Sequence, residues 1–271
     1  MFGRREQIEI KSSEQLSSMR AAGLVVADAL AAVAAATRAG VTTADLDAVA
    51  AEVIKSAGAA PSFLGYYGYP ATICTSVNDE IVHGIPGDRI IVDGDLVSID
   101  CGAIVDGWHG DAAVTVAVGE VDDAQRRLLE VTEASLWSGL ARARTGGRLS
   151  DIGHAVEQTV RAVGPFGIIE EYVGHGIGSQ MHMEPSVPNY GKAGHGPRLV
   201  AGMALAVEPM VTLGGRHTRV LDDEWTVVTA DGSRSAHFEH TVAVTDQGPW
   251  VLTAHDGGAA RFASMGVASP A

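Results

Sequence analysis

One stretch of the chain, residues 96–118 (LVSIDCGAIVDGWHGDAAVTVAV), constrains the fold more than any other. Two runs in which apolar and polar residues alternate flank Asp106-Gly107, a dipeptide typical of the two-residue type I′ turn because both turn residues need a positive φ. The turn predicts a β-hairpin with Val105 opposite Trp108. In that register Asp100 and Asp111 lie diagonally on one face, roughly 7 to 8 Å apart at the backbone and within reach of a shared cation.

The opposite face of the predicted hairpin is apolar. It carries Val97, Ile99, Ala103 and Val105 on the first strand and Ala112, Val114, Val116 and Val118 on the second. One face therefore belongs to the core and the other to a site. A β-bulge at Gly110 would shift the pairing by one residue and move one aspartate away. Of these two registers we expect the unbroken one.

Length, charge and cysteine content limit the class of protein. The 271 residues, 46% of them hydrophobic, suffice for one large domain or two halves. A net charge of −14 argues against nucleic acid or an anionic membrane as the main partner. The N-terminus lacks the apolar segment of a signal peptide, the longest apolar run (29–36) is shorter than a membrane span, and two cysteines indicate a reducing compartment. We expect a monomeric cytoplasmic enzyme with no membrane partner and no specific nucleic acid.

The sequence predicts four helices in two pairs. The first spans 12–39 with a capping box at Ser12 and Gln15, and the second spans 42–58, beginning at Thr42 with Asp45 three residues on. The third spans 124–145, and the fourth spans 150–164 with Ser150 as its cap. Residues 38–58 resemble residues 144–164 at an offset of 106, which indicates two helix-helix-strand halves. Helices grouped apart from largely antiparallel strands predict an α+β fold.

The same patterns divide the chain into regions. We expect an N-terminal arm over 1–11, one catalytic domain over 12–253 with halves at about 12–119 and 120–253, and a C-terminal tail over 254–271 that is loosely ordered from residue 257 onward. In the second half MALAVEPM (203–210) is a predicted strand. EWTVVTA (224–230) and SAHFEHTVAVT (235–245) are a predicted terminal pair of strands separated by Asp231-Gly232.

Two further carboxylates interrupt strands that are otherwise suited to burial. Glu208 precedes Pro209 near a strand end, and Glu239 shares a face with polar neighbours. With Asp100 and Asp111 they would raise one another's pKa, and a pair of divalent cations would balance the four charges. His175, between two glycines in VGHGIG, is the natural fifth ligand. This donor set suits Mn²⁺, Fe²⁺, Co²⁺ or Zn²⁺ and predicts hydrolysis.

A series of motifs runs through the chain in order: FLGYYGYP, CTSVNDEIVHGIP, SIDCG, DGWHGD, GHGIGSQMHMEP, AVEPM and FEHT. Their order and spacing resemble the type I methionine aminopeptidases of metallopeptidase family M24, over about residues 10–253. The resemblance implies the pseudo-twofold pita-bread fold, in which a curved, mainly antiparallel sheet carries two helix pairs outside and a dinuclear metal site on its inner face.

The resemblance also implies a ligand set. The family's ligands fall on Asp100, Asp111, His175, Glu208 and Glu239, the same five residues that the carboxylate argument selects. By that resemblance Asp100 chelates one ion, Asp111 and Glu239 bridge both, and His175 and Glu208 complete the other. A metal-bound hydroxide would attack the carbonyl after the initiator methionine of a nascent polypeptide, with small second residues preferred.

Catalytic roles follow from the same resemblance. Glu208 would pass a proton from water toward the leaving amine, and His182 would hydrogen-bond the scissile carbonyl and stabilise the oxyanion. His83 would contact the nitrogen of the departing residue.

The resemblance places the methionine pocket at Tyr66, Tyr69, Cys74 and Trp225, a soft-walled apolar slot suited to a thioether. Phe63 and Met181 occupy neighbouring positions where other members often differ. The ribosome surface is a further expected partner, although nothing in the sequence locates a contact.

Three other functions compete with this one. Proline-specific peptidases share the ligand order but usually carry an additional N-terminal domain, whereas the first helix here begins near Ser12. Type II methionine aminopeptidases carry a late helical insertion, for which the 30 residues between Glu208 and Glu239 leave no room. A non-catalytic binding relative would have lost ligands, whereas this chain keeps all five.

Overall fold

The computed structural model describes residues 8–270, so residues 1–7 of the predicted N-terminal arm lie outside it, as does residue 271. The described helices are Ser13–Ala36 (α1), Thr43–Ser56 (α2), Asp123–Leu140 (α3), Ser150–Val163 (α4) and Ala259–Ser264 (α5), with a 3₁₀ turn at Tyr66–Gly68. The strands of the first half are Ala60–Pro61 (β1), Ile73–Val77 (β2), Glu80–Val82 (β3), Leu96–Val105 (β4) and Trp108–Ala117 (β5). Those of the second half are Gly167–Ile168 (β6), Gly174–Gly176 (β7), Met183–Val187 (β8), Ala204–Val207 (β9), Met210–Thr212 (β10), Thr218–Val220 (β11), Val227–Thr229 (β12), Ser235–His237 (β13), Glu239–Thr245 (β14) and Gly248–Val251 (β15).

The hairpin of β4 and β5 has the predicted register. Asp106 and Gly107 have φ of 50° and 81°, as the type I′ turn requires. Asp100 pairs with Ala113 and Asp111 with Gly102, and the ladder continues unbroken through Gly110. The unbroken register is therefore confirmed, and the alternative with a bulge at Gly110 is wrong.

The main sheet has nine strands, and its path runs β1-β4-β5-β14-β9-β7-β8, with β2 paired to β4 and β15 to β14. Each pairing in it is antiparallel. Cys74, Asp100, Ala113 and Glu239 are successive partners across β2, β4, β5 and β14 and so form one cross-strand row. This order brings the aspartates of the first half next to Glu239 of the second.

Helices cover one face of this sheet. In the first half α1 and α2 pack on Val97, Ile99, Cys101 and Ala103 of β4 and on Ala112 of β5. In the second half α3 and α4 pack on apolar residues of β9 and β14, including Leu205, Val207, Val242 and Val244. Because side chains alternate along a strand, the residues between these apolar positions, Asp100 among them, point to the opposite face.

The two halves repeat the same backbone hydrogen bonds where each helix pair meets the loop before the central strand. In the first half Gly40 N donates to Ile91 O and Ile91 N donates to Val41 O. In the second half Gly146 N donates to Leu199 O and Leu199 N donates to Gly147 O. All four bonds are 2.9 Å long. The second helix of each pair begins with a matching cap, because Asp45 accepts from Thr42 N and Asp151 from Arg148 N, both at 2.8 Å. The predicted internal repeat is thus visible in the structure.

A close approach of α1 to the hairpin requires glycine at two positions. A Cβ on Gly110 would lie 2.7 Å from Gly23 N, and a Cβ on Gly23 would lie 2.2 Å from Leu252 O. Contacts this short would force backbone apart. The helix therefore rests on β5 and on the segment after β15 through glycine.

Some element bounds differ from the predictions. The first helix ends at Ala36 rather than 39, and the third ends at Leu140 rather than 145 because the following residues turn and bond to a second loop, with Gly146 N donating to Leu199 O. Ser150 is the first residue of α4 rather than its cap, and its hydroxyl accepts from His195 N. The capping boxes at Ser12 and Thr42 are confirmed.

Two expectations for the C-terminal region are wrong. β12 and β13 do not pair with each other, since β12 joins β3 and β11 while β13 joins β10. The residues from 257 onward are not loosely ordered throughout the described range, because they contain α5, whose Phe262 is fully buried beside Trp137. The signal missed is a single aromatic residue in an otherwise small-residue segment.

By length and composition alone, one described helix, α1, is long and apolar enough to span a membrane. In the structure its buried residues, among them Met19, Val26 and Val33, pack into the core under the sheet. A core helix passes the same test, so the finding is weak evidence for a membrane span.

Candidate metal centre

The predicted ligands converge on the face of the sheet that the helices leave uncovered. Asp100 and Glu239 are both paired with Ala113, from the two sides of β5, and Asp111 lies two residues before Ala113 on that central strand. Glu208 directly follows β9, whose Val207 pairs with His240, the neighbour of Glu239. Four carboxylates from four adjacent strands therefore share one surface.

The position of Glu208 repeats that of Asp100 in the other half. β4 begins at Leu96 and β9 begins at Ala204, so each carboxylate stands four residues after the start of its strand. The matching loop contacts before the two strands hold both in the same relation to their helices. The internal repeat thus supplies one carboxylate from each half.

His175 completes the group from β7. Its Nε2 lies 3.5 Å from Glu208 Oε1, and its Nδ1 lies 3.0 Å from Gly176 O. The flanking glycines allow β7 to approach its neighbours closely, since a Cβ on Gly174 would meet Ala206 O at 2.2 Å. Ligand atoms of Asp111, His175 and Glu239 all lie within 4.8 Å of one another.

The centre contains buried oxygen atoms that lack any partner within the described chain. Asp111 and Glu239 are 4% and 2% exposed, and Asp100 Oδ1, Asp111 Oδ1 and Glu239 Oε1 make no hydrogen bond. An unpartnered buried oxygen is costly. A cation would satisfy these atoms, so the residues present fit divalent metal ions of the kind that favour oxygen and imidazole ligands.

The pKa values of these residues also reflect the burial of several carboxyl groups close together. Burial, followed by the charges of Glu239 and Asp100, raises the pKa of Asp111 well above its usual range. Burial and neighbouring aspartates raise the pKa of Glu208, and burial and Glu208 raise that of Glu239. Burial, followed by the charge of His182, lowers the pKa of His175 to about 3, so its ring is neutral and can act as a ligand.

A cavity opens beside the metal centre and is lined by all of the predicted site residues. Its walls are formed by Phe63, Tyr66, Tyr69, Cys74, Val82, His83, Asp100, Asp111, His175, Met181, His182, Glu208, Trp225 and Glu239. The predicted pocket residues, with Phe63 and Met181, form an apolar cluster at one end. The rings of Tyr69 and Trp225 form an edge-to-face pair with centroids 5.0 Å apart, and the Tyr69 hydroxyl donates to Ile73 O and Gly84 O, which fixes the ring in the wall.

The two predicted catalytic histidines lie at the cavity wall. His182 is 4.3 Å from the ring of His175, and its Nδ1 lies 2.8 Å from the hydroxyl of Tyr66. His83 has φ of 61°, and its ring stands edge-on to Trp225 at 6.3 Å. Burial lowers the pKa of His83 to about 4 and lowers that of His182, so both rings are neutral.

Two buried polar residues near the centre were assigned no function in the sequence analysis. His237 is 1% exposed, its two ring nitrogens make no hydrogen bond within residues 8–270, and its Nε2 lies 3.9 Å from Glu239 Oε2. Asn189 is fully buried and donates through Nδ2 to Glu208 O at 3.0 Å. The shared face of His237 and Glu239 was readable from alternation, whereas the contact of Asn189 joins separate loops and left no signal.

Comparison with known proteins agrees with this geometry. The sequence profile of metallopeptidase family M24 matches residues 17–246 of this chain. Methionine aminopeptidase 1 of Mycobacterium tuberculosis is 55% identical over 255 residues, which cover 92% of this chain and 96% of the relative. Methionine aminopeptidase 1 of Bacillus subtilis is 49% identical, covering 90% of this chain and 98% of the relative.

Solved structures confirm the predicted fold. Methionine aminopeptidase from Thermotoga maritima superimposes with a TM-score of 0.89 at 44% identity, covering 91% of this chain and 99% of that one. Prolidase from Pyrococcus furiosus shares only the fold, with a TM-score of 0.72 at 22% identity and with 65% of its own length covered. The chain belongs to metallopeptidase family M24, and within that family to the methionine aminopeptidases.

Proposed function

We propose that this protein removes the N-terminal methionine from newly made polypeptides and that small second residues are preferred. The supporting observation is the group of five ligand-type side chains in one cavity, where three of the carboxylates carry a buried oxygen that has no hydrogen-bond partner among the described residues. A relative 55% identical that is named a methionine aminopeptidase supports the same activity.

Asp100, Asp111, His175, Glu208 and Glu239 would hold a pair of divalent ions, with Mn²⁺, Fe²⁺, Co²⁺ and Zn²⁺ all suited to these donors. When bound, such ions activate water and polarise a carbonyl group. When ionised, the four carboxylates balance the charge of two such ions, which would account for the burial of so many acidic side chains here.

Glu208 is the residue we assign to proton transfer. Its burial raises the pKa of its carboxyl group, so that a proton can reside there between leaving the attacking water and reaching the departing amine. The nearby His175 Nε2 and the bond from Asn189 to its backbone hold the residue in place.

His182 would donate to the oxygen of the scissile carbonyl. Tyr66 occupies its Nδ1, so the other ring nitrogen is available to the substrate. His83, on the same cavity wall, would contact the backbone nitrogen of the second substrate residue. Both are neutral rings and can donate one N–H without carrying a charge into the cavity.

The methionine side chain would enter the apolar end of the cavity. Tyr66, Tyr69, Cys74 and Trp225 form its walls, with Phe63 and Met181 adjoining. Aromatic faces and a thiol suit a thioether. Burial raises the pKa of Cys74 well above its usual range, so this cysteine remains a thiol and serves as wall rather than nucleophile.

The proposal is tested by an assay of the metal-reconstituted protein on Met-Ala-Ser beside Xaa-Pro and Leu-Ala peptides. We expect cleavage of Met-Ala-Ser alone. Cleavage of Xaa-Pro without Met-Ala-Ser would assign the protein to the proline-specific peptidases, with which it shares the fold.

The remaining expectations from the sequence are proposed on the same basis. They are a single catalytic domain over 12–253 with halves of about 12–119 and 120–253, a monomer, a cytoplasmic location and work at the ribosome surface on nascent chains. The packing of Phe262 of α5 against Trp137 is a contact between the residues after 253 and α3 of that domain.

A further inference from the structure

The described part of the N-terminal arm, residues 8–11, lies against the loop that joins β7 to β8. We call this loop, residues 177–182, the histidine loop, because it ends at His182. The arm is also bound to the segment before β9, since Lys11 N donates to Gly202 O at 2.8 Å. The arm therefore has a fixed position from which its side chains can hold the histidine loop.

Glu9 makes the contact between the arm and the tip of the histidine loop. Ser179 N donates to Glu9 Oε1 at 3.3 Å, and the Ser179 hydroxyl donates to Glu9 Oε2. Ser179 and Gln180 form the exposed tip, and among the described residues Glu9 is the one outside the loop that hydrogen-bonds to it. Two bonds to one carboxylate fix both the position and the orientation of this turn.

Lys11 holds the Glu9 carboxylate in place. Its side chain is 2% exposed, and its Nζ lies 3.3 Å from Glu9 Oε1 and donates to Glu9 O at 3.2 Å. Burial lowers the pKa of Lys11, an effect that the charge of Glu9 opposes. A buried ammonium group is costly unless it is paired, and within residues 8–270 its ion-pair partner is Glu9. The buried lysine thus keeps the carboxylate next to the loop.

The side chains of the arm lie directly on the backbone of the histidine loop. A Cβ on Gly178 would be 2.2 Å from Glu9 Oε1 and 2.4 Å from Lys11 Cε. A second contact comes from β5, where His109 N donates to Gly178 O at 3.0 Å. The loop is therefore held by the arm and by β5 at the same residue.

The far end of the histidine loop belongs to the wall of the cavity. Met181 is 3% exposed and is part of the apolar cluster at one end of the cavity. His182 follows Ser179 by three residues, and its ring lies 4.3 Å from the ring of His175 and 2.8 Å from the Tyr66 hydroxyl. Because the connection is this short, a shift of Ser179 should move the ring of His182 as well.

We propose that Glu9 is a positioning residue for His182: through its bonds to Ser179 it fixes the histidine loop so that the ring keeps its place at the metal centre. The inference rests on the proposed peptidase function, in which His182 donates to the scissile carbonyl. Glu9 does not line the cavity. A displacement of about 1 Å at a reacting group can cost about 10²-fold in rate, so a carboxylate outside the cavity can control turnover without touching the substrate.

The first test compares kcat and KM on Met-Ala-Ser for the metal-reconstituted parent and its variants. We expect Glu9→Ala to lower kcat about 5- to 30-fold while KM changes less than about threefold, because the displaced group acts on the transition state. Glu9→Gln keeps an acceptor for Ser179 and should recover most of the rate. In the His182→Ala background, Glu9→Ala should cost no further kcat, since its effect passes through His182.

Ser179→Ala breaks the same contact from the side of the loop. It removes the hydroxyl bond but leaves the pair of Glu9 and Lys11 intact, so it tests the contact without disturbing the buried lysine. We expect it to lower kcat about 2- to 10-fold, with KM again little changed. If Glu9→Ala does not fold, this variant decides the proposal in its place.

A second measurement does not depend on turnover. In the zinc-reconstituted protein, the NMR signal of the His182 ring, identified by its absence from His182→Ala, should shift in Glu9→Ala and stay near the parental position in Glu9→Gln. Glu14→Ala is the matched control, because it removes an exposed carboxylate from the first turn of α1. It should keep the parental kcat and the parental ring signal.

Parental kcat in both Glu9→Ala and Ser179→Ala, or an unshifted ring signal of His182, would overturn the proposal. So would an equal loss of rate in Glu14→Ala, or the same proportional loss when Glu9→Ala is made in the His182→Ala background, since neither effect would pass through this ring. A parent that does not cleave Met-Ala-Ser would remove the peptidase assignment, whereas the ring signal would still decide whether Glu9 positions His182.

Discussion

Glu208 is placed so that it can act both as a metal ligand and as a carrier of the proton. Its Oε1 lies 3.5 Å from His175 Nε2, and burial together with Asp100 and Asp111 raises the pKa of its carboxyl group. An amide at this position keeps one oxygen donor but cannot take up the proton. The two roles are therefore separable by a single substitution.

We expect Glu208→Gln to lower kcat by about 10² or more, in line with a lost general acid–base, while metal ions remain bound. The measurements are kcat on Met-Ala-Ser and metal content by mass spectrometry after gel filtration. A variant with parental turnover would remove Glu208 from the proton path. Loss of all metal would show that the amide oxygen does not replace the carboxylate.

His182 is coupled to Tyr66 through a bond of 2.8 Å, which orients its ring toward the cavity. We expect His182→Ala to lower kcat by about 10² to 10³, as for a lost oxyanion donor. Tyr66→Phe removes only the orienting bond and should cost about 2- to 10-fold, the value of a neutral hydrogen bond. An effect of His182→Ala on KM alone would contradict the assignment.

His237 offers a residue-scale test that does not depend on turnover. Its unpartnered ring lies 3.9 Å from Glu239 Oε2 inside the protein. We expect it to orient that carboxylate for metal, so His237→Phe should weaken metal affinity about 10- to 100-fold. His237→Gln, which keeps a donor, should retain more of it. Isothermal titration with Mn²⁺ measures both, and equal affinities in the three proteins would exclude the role.

At the scale of elements, the contact of α1 with the hairpin depends on glycine. A Cβ on Gly110 would lie 2.7 Å from Gly23 N and 2.8 Å from its Cα, atoms of backbone that cannot swing aside. We expect Gly110→Ala to lower the free energy of unfolding by about 1 to 3 kcal/mol, as for an overpacked core. Urea unfolding measures it.

Gly87→Ala is the matched control for that experiment. A Cβ there meets nothing within 4 Å, and Gly87 does not adopt a left-handed backbone conformation. Its effect should stay within about 0.5 kcal/mol, as for an ordinary surface change. Similar losses at both positions would mean that the close approach of α1 to β5 is not what limits the substitution.

Turn and capping residues predicted the structure well where it depends on residues that are close together in the chain. Asp106-Gly107 with its flanking alternation predicted the register of β4 and β5, and Ser12 and Thr42 predicted two helix starts. The predictions failed where contacts with a distant part of the chain determine where an element ends or which strand it pairs with. The end of α3 at Leu140 is imposed by bonds to the loop around Leu199, and β12 and β13 chose different partners despite the intervening Asp231-Gly232.

At the scale of the whole molecule, the site joins the two halves. Alternation could place each carboxylate on the polar face of its own strand, but the pairing of β5 with β14 that brings Asp111 to Glu239 is a long-range choice. That pairing followed only from the motif resemblance. Alternation placed His237 and Glu239 on one face, but the break at Phe238 that divides this run between two sheets left no sequence signal.

Because both halves supply ligands, metal should stabilise the entire fold. Without metal, burial and the neighbouring carboxylates raise the pKa values of Asp111 and Glu239, so their ionised forms are unfavourable there. At a free metal concentration 100 times its dissociation constant, we expect about 2.7 kcal/mol of added stability, and chelation should lower the melting temperature accordingly. Differential scanning calorimetry with and without Mn²⁺ measures the shift.

Two variants decide whether that stabilisation comes from this centre. Glu239→Gln keeps the shape of a ligand but removes one of the buried charges, so the metal-free protein should melt no lower than the metal-free parent while the shift on adding Mn²⁺ shrinks. Glu52→Gln removes a charge from the exposed face of α2 and should keep the full shift. Glu239 on β14 lies beside the ligands of the opposite half, so neutralising it should weaken a centre that is built from both halves. If both variants nevertheless respond to Mn²⁺ like the parent, the ions that stabilise the protein bind elsewhere.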